Sequence, residues 1–573
     1  MPVVVQPFDR LTCELVQYCG FMVDWLTPSE LPARVTSLDV LVTIGEGSLG
    51  DEAAQAIEAF VAQGGAWISL GGLCGLPEMF GVRPLTHDDG TPMRLGEGYA
   101  LGTAANPVLL KGWEMLHGFG GVAVEATEGT VWAHWLDAHG HETGLPALVH
   151  HTYGKGHALL FAVHLGESIV RIRQGRPVEE RAVLPPDVHL REDDTALHAE
   201  DATRLDWVLD RQAIEGRYAF LKPVADLWQE SLIRAILWAA HQRGAVVPML
   251  WFYPAHLPGV AILSIDAEPA TAHHETTLQR LLTLTGVRAV WCLSEASHGP
   301  AFYRELAKRG HEIGLRYLPD AAAFCRATTL QNQVDTLRRF SGVRSITAVQ
   351  VAGLHWRGCT EFYAYAEGAQ ILSDLSRGGV STGAEGFLFG SAHPWRPLNR
   401  AHPGELHALY TIPLLGYHIL EQIPPALLAA ILGGASGVHG VYHVTVRPSV
   451  VESEGKADAF IRLIAAVRSA GYEWITAAEL ARWHTARTAI RYRFAGISGQ
   501  MQLALLSATP MSRLTLLLFT PLQGWAQTGS GELPLRPAEH FGCPCLVLET
   551  DLVEKTVREI NLFQVSDAQA SGL

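Results

Sequence analysis

The run Ala261-Ile-Leu-Ser-Ile-Asp-Ala-Glu-Pro269 ends an apolar stretch in two carboxylates. A β-strand alternates its faces with period two, so Asp266 and Glu268 point the same way at its C-terminal end, where Pro269 stops the strand. In parallel α/β folds that end is where ligands sit, because the following loops can enclose one. Two carboxylates there repel each other unless a metal, a cation or shared protons offset the charge. His355-Trp356 and His393-Pro-Trp395 could lay aromatic faces along a groove where a sugar ring stacks. His439 and His443 are four apart, but in a strand pattern they share a face without helical chelate spacing.

The elements that must position these residues divide the chain into four stretches. Residues 1–175 open with strand Asp39–Ile44, a helix over about 51–63 whose apolar face is Ala54, Ile57, Phe60 and Val61, and strand Ala66–Leu70. That is a βαβ unit, which implies a parallel sheet, and Gly154–Val163 reads as a turn feeding another buried strand. Residues 176–222 contain Glu179-Glu180, Arg191-Glu-Asp-Asp194 and Glu200-Asp201, a composition that fits a surface connector. Residues 223–487 alternate strands and helices: strand Val287–Leu293, a helix over 300–309, strand-like Gly310–Asp320, a helix over 328–341, strand Thr347–Val351, strand Gly440–Val446 and helix Ala457–Ala470. Repeated βα units over that length suggest an irregular (β/α) barrel. Residues 488–573 hold short strand-like runs separated by Gly, Pro and Ser, which reads as a small β-sandwich with a frayed end beyond Val565. The fold class is α/β.

Composition removes whole classes of function. Lys plus Arg number 43 against 58 Asp plus Glu, a net charge of −15 with no basic tract, which argues against nucleic acid or an anionic membrane as partner. Apolar residues make up 48% and the mean hydropathy is +0.13, so the chain buries a large core. No apolar run approaches the roughly 18 residues of a membrane span, and the N-terminus lacks the basic segment and apolar core of a secretory leader. Eight cysteines show no paired C-x-x-C spacing, so reduced structural thiols and a cytoplasmic location are expected.

Two resemblances sharpen these readings. The "strand, helix, GGxW strand, GG" pattern and Gly154-Lys-Gly-His-Ala-Leu-Leu-Phe-Ala-Val-His-Leu-Gly-Glu-Ser168 resemble class I glutamine amidotransferase-like domains of flavodoxin-like architecture. That family places a nucleophilic Cys in the turn after the second strand. Here Gly71 holds that turn, Cys74 lies three residues on, and His164 and Glu167 are three apart where the active family has them two apart. A non-catalytic domain with Cys74 as a packed thiol is expected.

The middle stretch, in the order "GVAILSIDAEP", "ELAKRGHEIGLR", "LQNQVDTLRRFSG", "SDLSRGGVSTGAEGFLFGSAHPW", "GVYHV" and "GYEWITAAELARWH", resembles the NodB homology domain of polysaccharide deacetylases. The resemblance implies hydrolysis of a sugar N-acetyl amide by a divalent metal held by one Asp and two His, with a second Asp as base, an Arg orienting it and a late-strand His as acid. In this chain Asp266 matches the base and His443 the acid, and the resemblance places Ser373 and Asp374 where the family has polar residues lining the cleft. The metal-ligand Asp is Ala267, the two His positions are Arg316 and Asp320, and Val349-Gln-Val-Ala352 lacks the Arg. A guanidinium at Arg316 would pair with Asp266 and Glu268 and activate no water, so no metal is expected. The rival expectation is a zinc-type site rebuilt from Asp266, Glu268 and Asp320, with His273, His274, His355 or His443 nearby. The expected function is a deacetylase-like protein with a degenerate metal site, in a carbohydrate-binding, partner-binding or scaffold role with weak or no hydrolysis; the alternative is an active metal-dependent carbohydrate N-deacetylase, acting on a glycan or small amide, with unusual ligands.

Overall fold

The computed structural model describes residues 7–47, 49–104, 106, 115–189, 196–267, 272–294, 297–320, 324–402, 404–419, 423–497, 500–520, 525–527 and 535–564. They fall into two compact units, one within Met1–Ile169, Leu227–His256 and Thr485–Leu573, the other within Val170–Asp226 and Leu257–His484. Glu268 and the segment beyond 564 lie outside the described residues. No helix among the described residues is long and apolar enough to cross a membrane.

In the first unit, strands Val40–Ile44 and Ala66–Leu70 pair in parallel, joined by helix Asp51–Ala62, whose Ala53, Ile57, Phe60 and Val61 are buried. Asp51 and Glu52 sit in the first turn of that helix, where the dipole favours negative charge. Strand Gly156–Phe161 adds in parallel beside Ala66–Leu70. The rest of the seven-stranded sheet departs from the all-parallel sheet implied by the βαβ unit: Glu142–Tyr153, Thr130–Asp137, Glu97–Gly102 and Leu116–Phe119 are antiparallel. The reversal is local. Tyr153 pairs with Gly156 across a two-residue turn in which Gly154 has φ +60°, a conformation that closes a hairpin and leaves no room for a crossover helix. The tail forms two four-stranded antiparallel sheets. One joins Met511–Phe519, Cys543–Leu552 and Arg536–His540 to Val247–Leu250, and the other joins Arg491–Ile497, Gln500–Leu506, Val557–Gln564 and Trp525–Gln527.

The second unit is organised on a curled parallel sheet. Its strands run Tyr410–Thr411, Ser373–Asp374, Ala348–Val351, Glu312–Tyr317, Val290–Leu293, Val260–Ala267 and Val441–Val446, with Glu473–Trp474 also pairing with Val260–Ala267. All eight residues of Val260–Ala267 are buried, the pattern of a strand covered on both faces. Helices Ala272–Thr285, Pro300–Lys308 and Ala327–Ser341 alternate with the strands. In the last of these, Leu330, Val334 and Leu337 recur at helical spacing and are buried, worth about 1.5–3 kcal/mol each. Beyond Tyr410–Thr411 the chain continues as 415–419 onto strand Val441–Val446: Leu415 N–H donates to His443 C=O at 2.9 Å, Thr445 N–H to Gly416 C=O at 2.9 Å, and Ile419 N–H to Thr445 C=O at 3.1 Å. That pairing joins the two edges of the sheet.

Part of the expected surface connector is core instead. Ala199, Glu200, Asp201 and Ala202 form a buried 3-10 turn. Glu200 accepts from Val380 N–H at 2.7 Å, from Ser381 N–H at 2.9 Å and from the Ser381 hydroxyl. Asp201 accepts from Ala182 N–H at 2.7 Å and His198 N–H at 2.9 Å. The acidic residues are inside because loop N–H groups there need acceptors.

Candidate functional site

Asp266, Cys292 and Gly314 occupy one level across three adjacent parallel strands. Residues in register on parallel strands face the same side, so Asp266 and Cys292 share that face with Gly314 and, two residues on, with Arg316. A Cβ at Gly314 would come within 3.1 Å of Val290 Cγ1 and 3.3 Å of Ala348 O, so the sheet is packed tightly at this level. Arg316 Nε donates to Asp266 Oδ1 at 2.6 Å, with side chains 9% and 2% exposed. The other oxygen is also taken: Tyr417 O–H donates to Asp266 Oδ2 at 2.8 Å, and His418 Nε2 lies 3.6 Å from it. Tyr417 and His418 come from the segment that joins the sheet edges, with ring centroids 3.7 Å apart and His418 held at φ +49°. Burial, then the Asp266 charge, raises the Tyr417 hydroxyl well above its ordinary range, and the same two causes raise the Cys292 thiol. Both groups stay protonated at neutral pH, and Tyr417 is fixed as a donor.

A metal does not fit this donor set. One carboxylate oxygen holds a cation, the other a hydroxyl proton, and a divalent ion would sit against the guanidinium. Among the described residues no group of three or more His, Cys, Asp or Glu is arranged to hold a metal ion. Of the expected rebuilt set, Glu268 is outside the described residues, and Asp320 lies 4.0 Å from Arg326 with its side chain 34% exposed.

His443 belongs to a different level of the sheet. It is in register with Ile262, four residues before Asp266, which places the two roughly 13 Å apart along the strand. Its Nδ1 faces Pro413 C=O at 3.2 Å, and a carbonyl only accepts, so Nδ1 carries the proton and Nε2 accepts from Ser264 O–H at 2.9 Å. With that proton committed, Thr445 O–H donates to Ser264 Oγ at 2.6 Å, and Gln350 Nε2 donates to Thr445 Oγ1 at 3.1 Å. The chain Gln350, Thr445, Ser264, His443, Pro413 runs one way. Burial lowers the His443 pKa to about 4, so the imidazole is neutral and structural. The expected pair of Asp266 as base and His443 as acid is two separate networks.

The expected groove residues pack elsewhere. Trp356 is 1% exposed and stacks on Arg377, whose guanidinium carbon lies 4.2 Å from the ring centroid; Arg377 Nε also donates to the Tyr363 hydroxyl oxygen at 2.9 Å. A buried guanidinium needs a π face or a carboxylate, and Trp356 supplies the first. His393 donates to Val438 C=O at 2.8 Å from a fully buried position, and Trp395 is 7% exposed, so neither forms an open wall. His355 is half-buried with its ring 5.0 Å from His198. Asp374 is fully buried, accepts from Ser376 N–H at 3.0 Å, and is pushed up to about 6 by burial, against hydrogen bonds from Ser376 and the nearby Arg377 charge.

In the first unit, burial raises the Cys74 thiol, and Cys74 takes φ +52°. His164 uses both ring nitrogens without it: Nε2 lies 3.2 Å from Asp9 Oδ1, and Nδ1 accepts from Glu167 N–H at 3.2 Å. A protonated thiol and an occupied imidazole do not make a nucleophile–base pair.

Tyr417 and His418 are absent from the sequence-derived site. Their only signal is Gly416-Tyr-His418 within an apolar stretch, which places no residue opposite Asp266 until the sheet closes.

The fold and site together define an α/β protein whose parallel-sheet rim carries a buried ion pair. No family model and no curated protein matches the chain. Solved structures similar to it include Agd3, described as a novel carbohydrate deacetylase, at 8% identity and TM-score 0.36 over 92% of this chain and 91% of that one. A protein of Mycobacterium smegmatis assigned as a polysaccharide deacetylase is similar at 16% identity and TM-score 0.32, over 42% of this chain and 94% of that one. A xylanase-associated CE4 domain from the hindgut metagenome of Trinervitermes trinervoides is similar at 12% identity and TM-score 0.26, over 39% and 90%. At TM-scores below 0.5 these likenesses assign neither fold nor function to the chain.

Proposed function

We propose that this chain is a polysaccharide deacetylase-like protein in which a side-chain cation replaces the catalytic metal, and that it works by binding a carbohydrate or a protein partner rather than by metal-assisted hydrolysis. The observation that carries the reading is the 2.6 Å contact from Arg316 Nε to Asp266 Oδ1. Asp266 has one oxygen held by a guanidinium and the other by a hydroxyl, and both donors stabilise the carboxylate over its protonated form, which weakens it as a base. Without a metal to lower the pKa of a bound water or stabilise an oxyanion, the family's amide hydrolysis has no driving group. The motif order in residues 223–487 supports the deacetylase-like part of the reading. Eight unpaired cysteines agree with a cytoplasmic location.

The test pairs binding with turnover. Isothermal titration with N-acetylated and de-N-acetylated oligosaccharides should give binding by one or the other, and acetate release should stay at background with added zinc. Zinc-dependent acetate release that is lost in Asp266→Asn would sink the proposal.

A further inference from the structure

Described residues that follow two adjacent strands of the second unit bring a second set of chemical groups together. Ser297 and His298 follow strand Val290–Leu293, and Glu275 lies in the first turn of helix Ala272–Thr285, which follows strand Val260–Ala267. Ser297 Oγ is 2.7 Å from His298 Nδ1, and His298 Nε2 is 2.7 Å from Glu275 Oε1. Ser297 is exposed, the His298 side chain is 14% exposed, and Glu275 is buried.

The hydrogen positions follow from the partners. A carboxylate accepts, so His298 Nε2 carries the proton, and Nδ1 presents its lone pair to the Ser297 hydroxyl. That hydroxyl has a second acceptor, Ser294 C=O at 3.0 Å. The imidazole is fixed on a third side by Phe302, stacked at 4.2 Å between centroids and 16° between planes. Helix Pro300–Lys308 begins three residues after Ser297. Nucleophile, base and orienting carboxylate stand in hydrogen-bonded sequence, the order that activates a serine.

From this geometry we propose that Ser297, His298 and Glu275 form a metal-independent acyl-ester hydrolase site at the strand-end loops. Ser297 Oγ attacks the ester carbonyl carbon while its proton passes to His298 Nδ1. The tetrahedral intermediate collapses, the ester C–O bond breaks, and the leaving alkoxide takes that proton from His298. Water then attacks the acyl-serine with His298 as base, releasing the carboxylic acid and restoring the hydroxyl. Short-chain esters are the substrate class, because an alkoxide leaves more readily than an amine and Ser297 is at the surface. Glu275 is a positioning residue, holding the tautomer that leaves Nδ1 basic.

The experiment uses the full chain after chelator treatment, with p-nitrophenyl acetate as substrate and a fluorophosphonate as covalent probe. The site predicts one phosphonyl adduct on Ser297 and hydrolysis unaffected by chelation, both lost in Ser297→Ala. Glu275→Gln should lower kcat about a hundredfold or more and displace the acidic limb of the pH–rate profile, with partial recovery in Glu275→Asp. An unlabelled Ser297 in the wild-type chain, or undiminished hydrolysis in Ser297→Ala, overturns the proposal. Because the assay is run without metal, its outcome is separate from that of the Arg316–Asp266 reading.

Discussion

Arg316 brings one fixed positive charge to a position where a divalent ion would bring two and an exchangeable water. The consequence for stability is asymmetric. Arg316→Ala strands a carboxylate that is 1% exposed, and leaving one partner of such a pair uncompensated costs about 3–5 kcal/mol. Urea denaturation should show that loss, and the double substitution Arg316→Ala with Asp266→Asn should recover a good part of it; a single variant as stable as wild type contradicts the pairing.

Two other buried groups make the acid limb of the stability curve diagnostic. His443 has a folded pKa of about 4 against 6.5 in the ordinary state, so only the unfolded chain holds its proton between those values. Its contribution is present above 6.5 and lost as pH falls toward 4, up to about 3 kcal/mol. Asp374 acts in the opposite sense: its folded pKa of about 6 exceeds 3.8, so its contribution is present below 3.8 and lost as pH rises through 6. The two slopes oppose each other over pH 4 to 6. Asp374→Asn should therefore steepen the rise of stability with pH in that window, and His443→Gln should reverse it. Denaturant midpoints across the range check both signs.

At the scale of elements, the segment 415–419 closes the sheet and delivers Tyr417 to Asp266. Tyr417→Phe removes one donor from a buried carboxylate and should cost about 1.5–3 kcal/mol. Amide exchange should quicken at Gly416 through Ile419 before it quickens in Val260–Ala267; uniform exchange would show that the closure is not a separate cooperative piece. This segment also marks where the sequence stops being legible. Val260–Ala267 and Ala327–Ser341 could be read directly, because a continuous apolar run and a three-to-four spacing are each imposed by burial along one element. Arg316 opposite Asp266 was legible too, through the motif order that aligned their strands. Tyr417 was not, since its position depends on backbone pairing between residues distant in sequence. Glu200 and Asp201 misled for a related reason: a buried acid that caps loop N–H groups has the same local composition as a solvated one.

For the whole molecule, the described residues form two units with different chemistry at the ends of their parallel strands. In one, Cys74 is a buried thiol and His164 is committed to Asp9 and a backbone N–H. In the other, a buried Arg316–Asp266 ion pair lies near the C-terminal end of strand Val260–Ala267. The buried apolar strands and the Arg316–Asp266 pair supply stabilising contacts to the parallel strands locally. A chain grown and purified with zinc, nickel and cobalt present, then analysed for bound metal by mass spectrometry, tests this most directly. Substoichiometric metal in the wild type and no change in Asp266→Asn are expected; one tightly held ion per chain that disappears in Asp266→Asn would contradict replacement of the metal by Arg316.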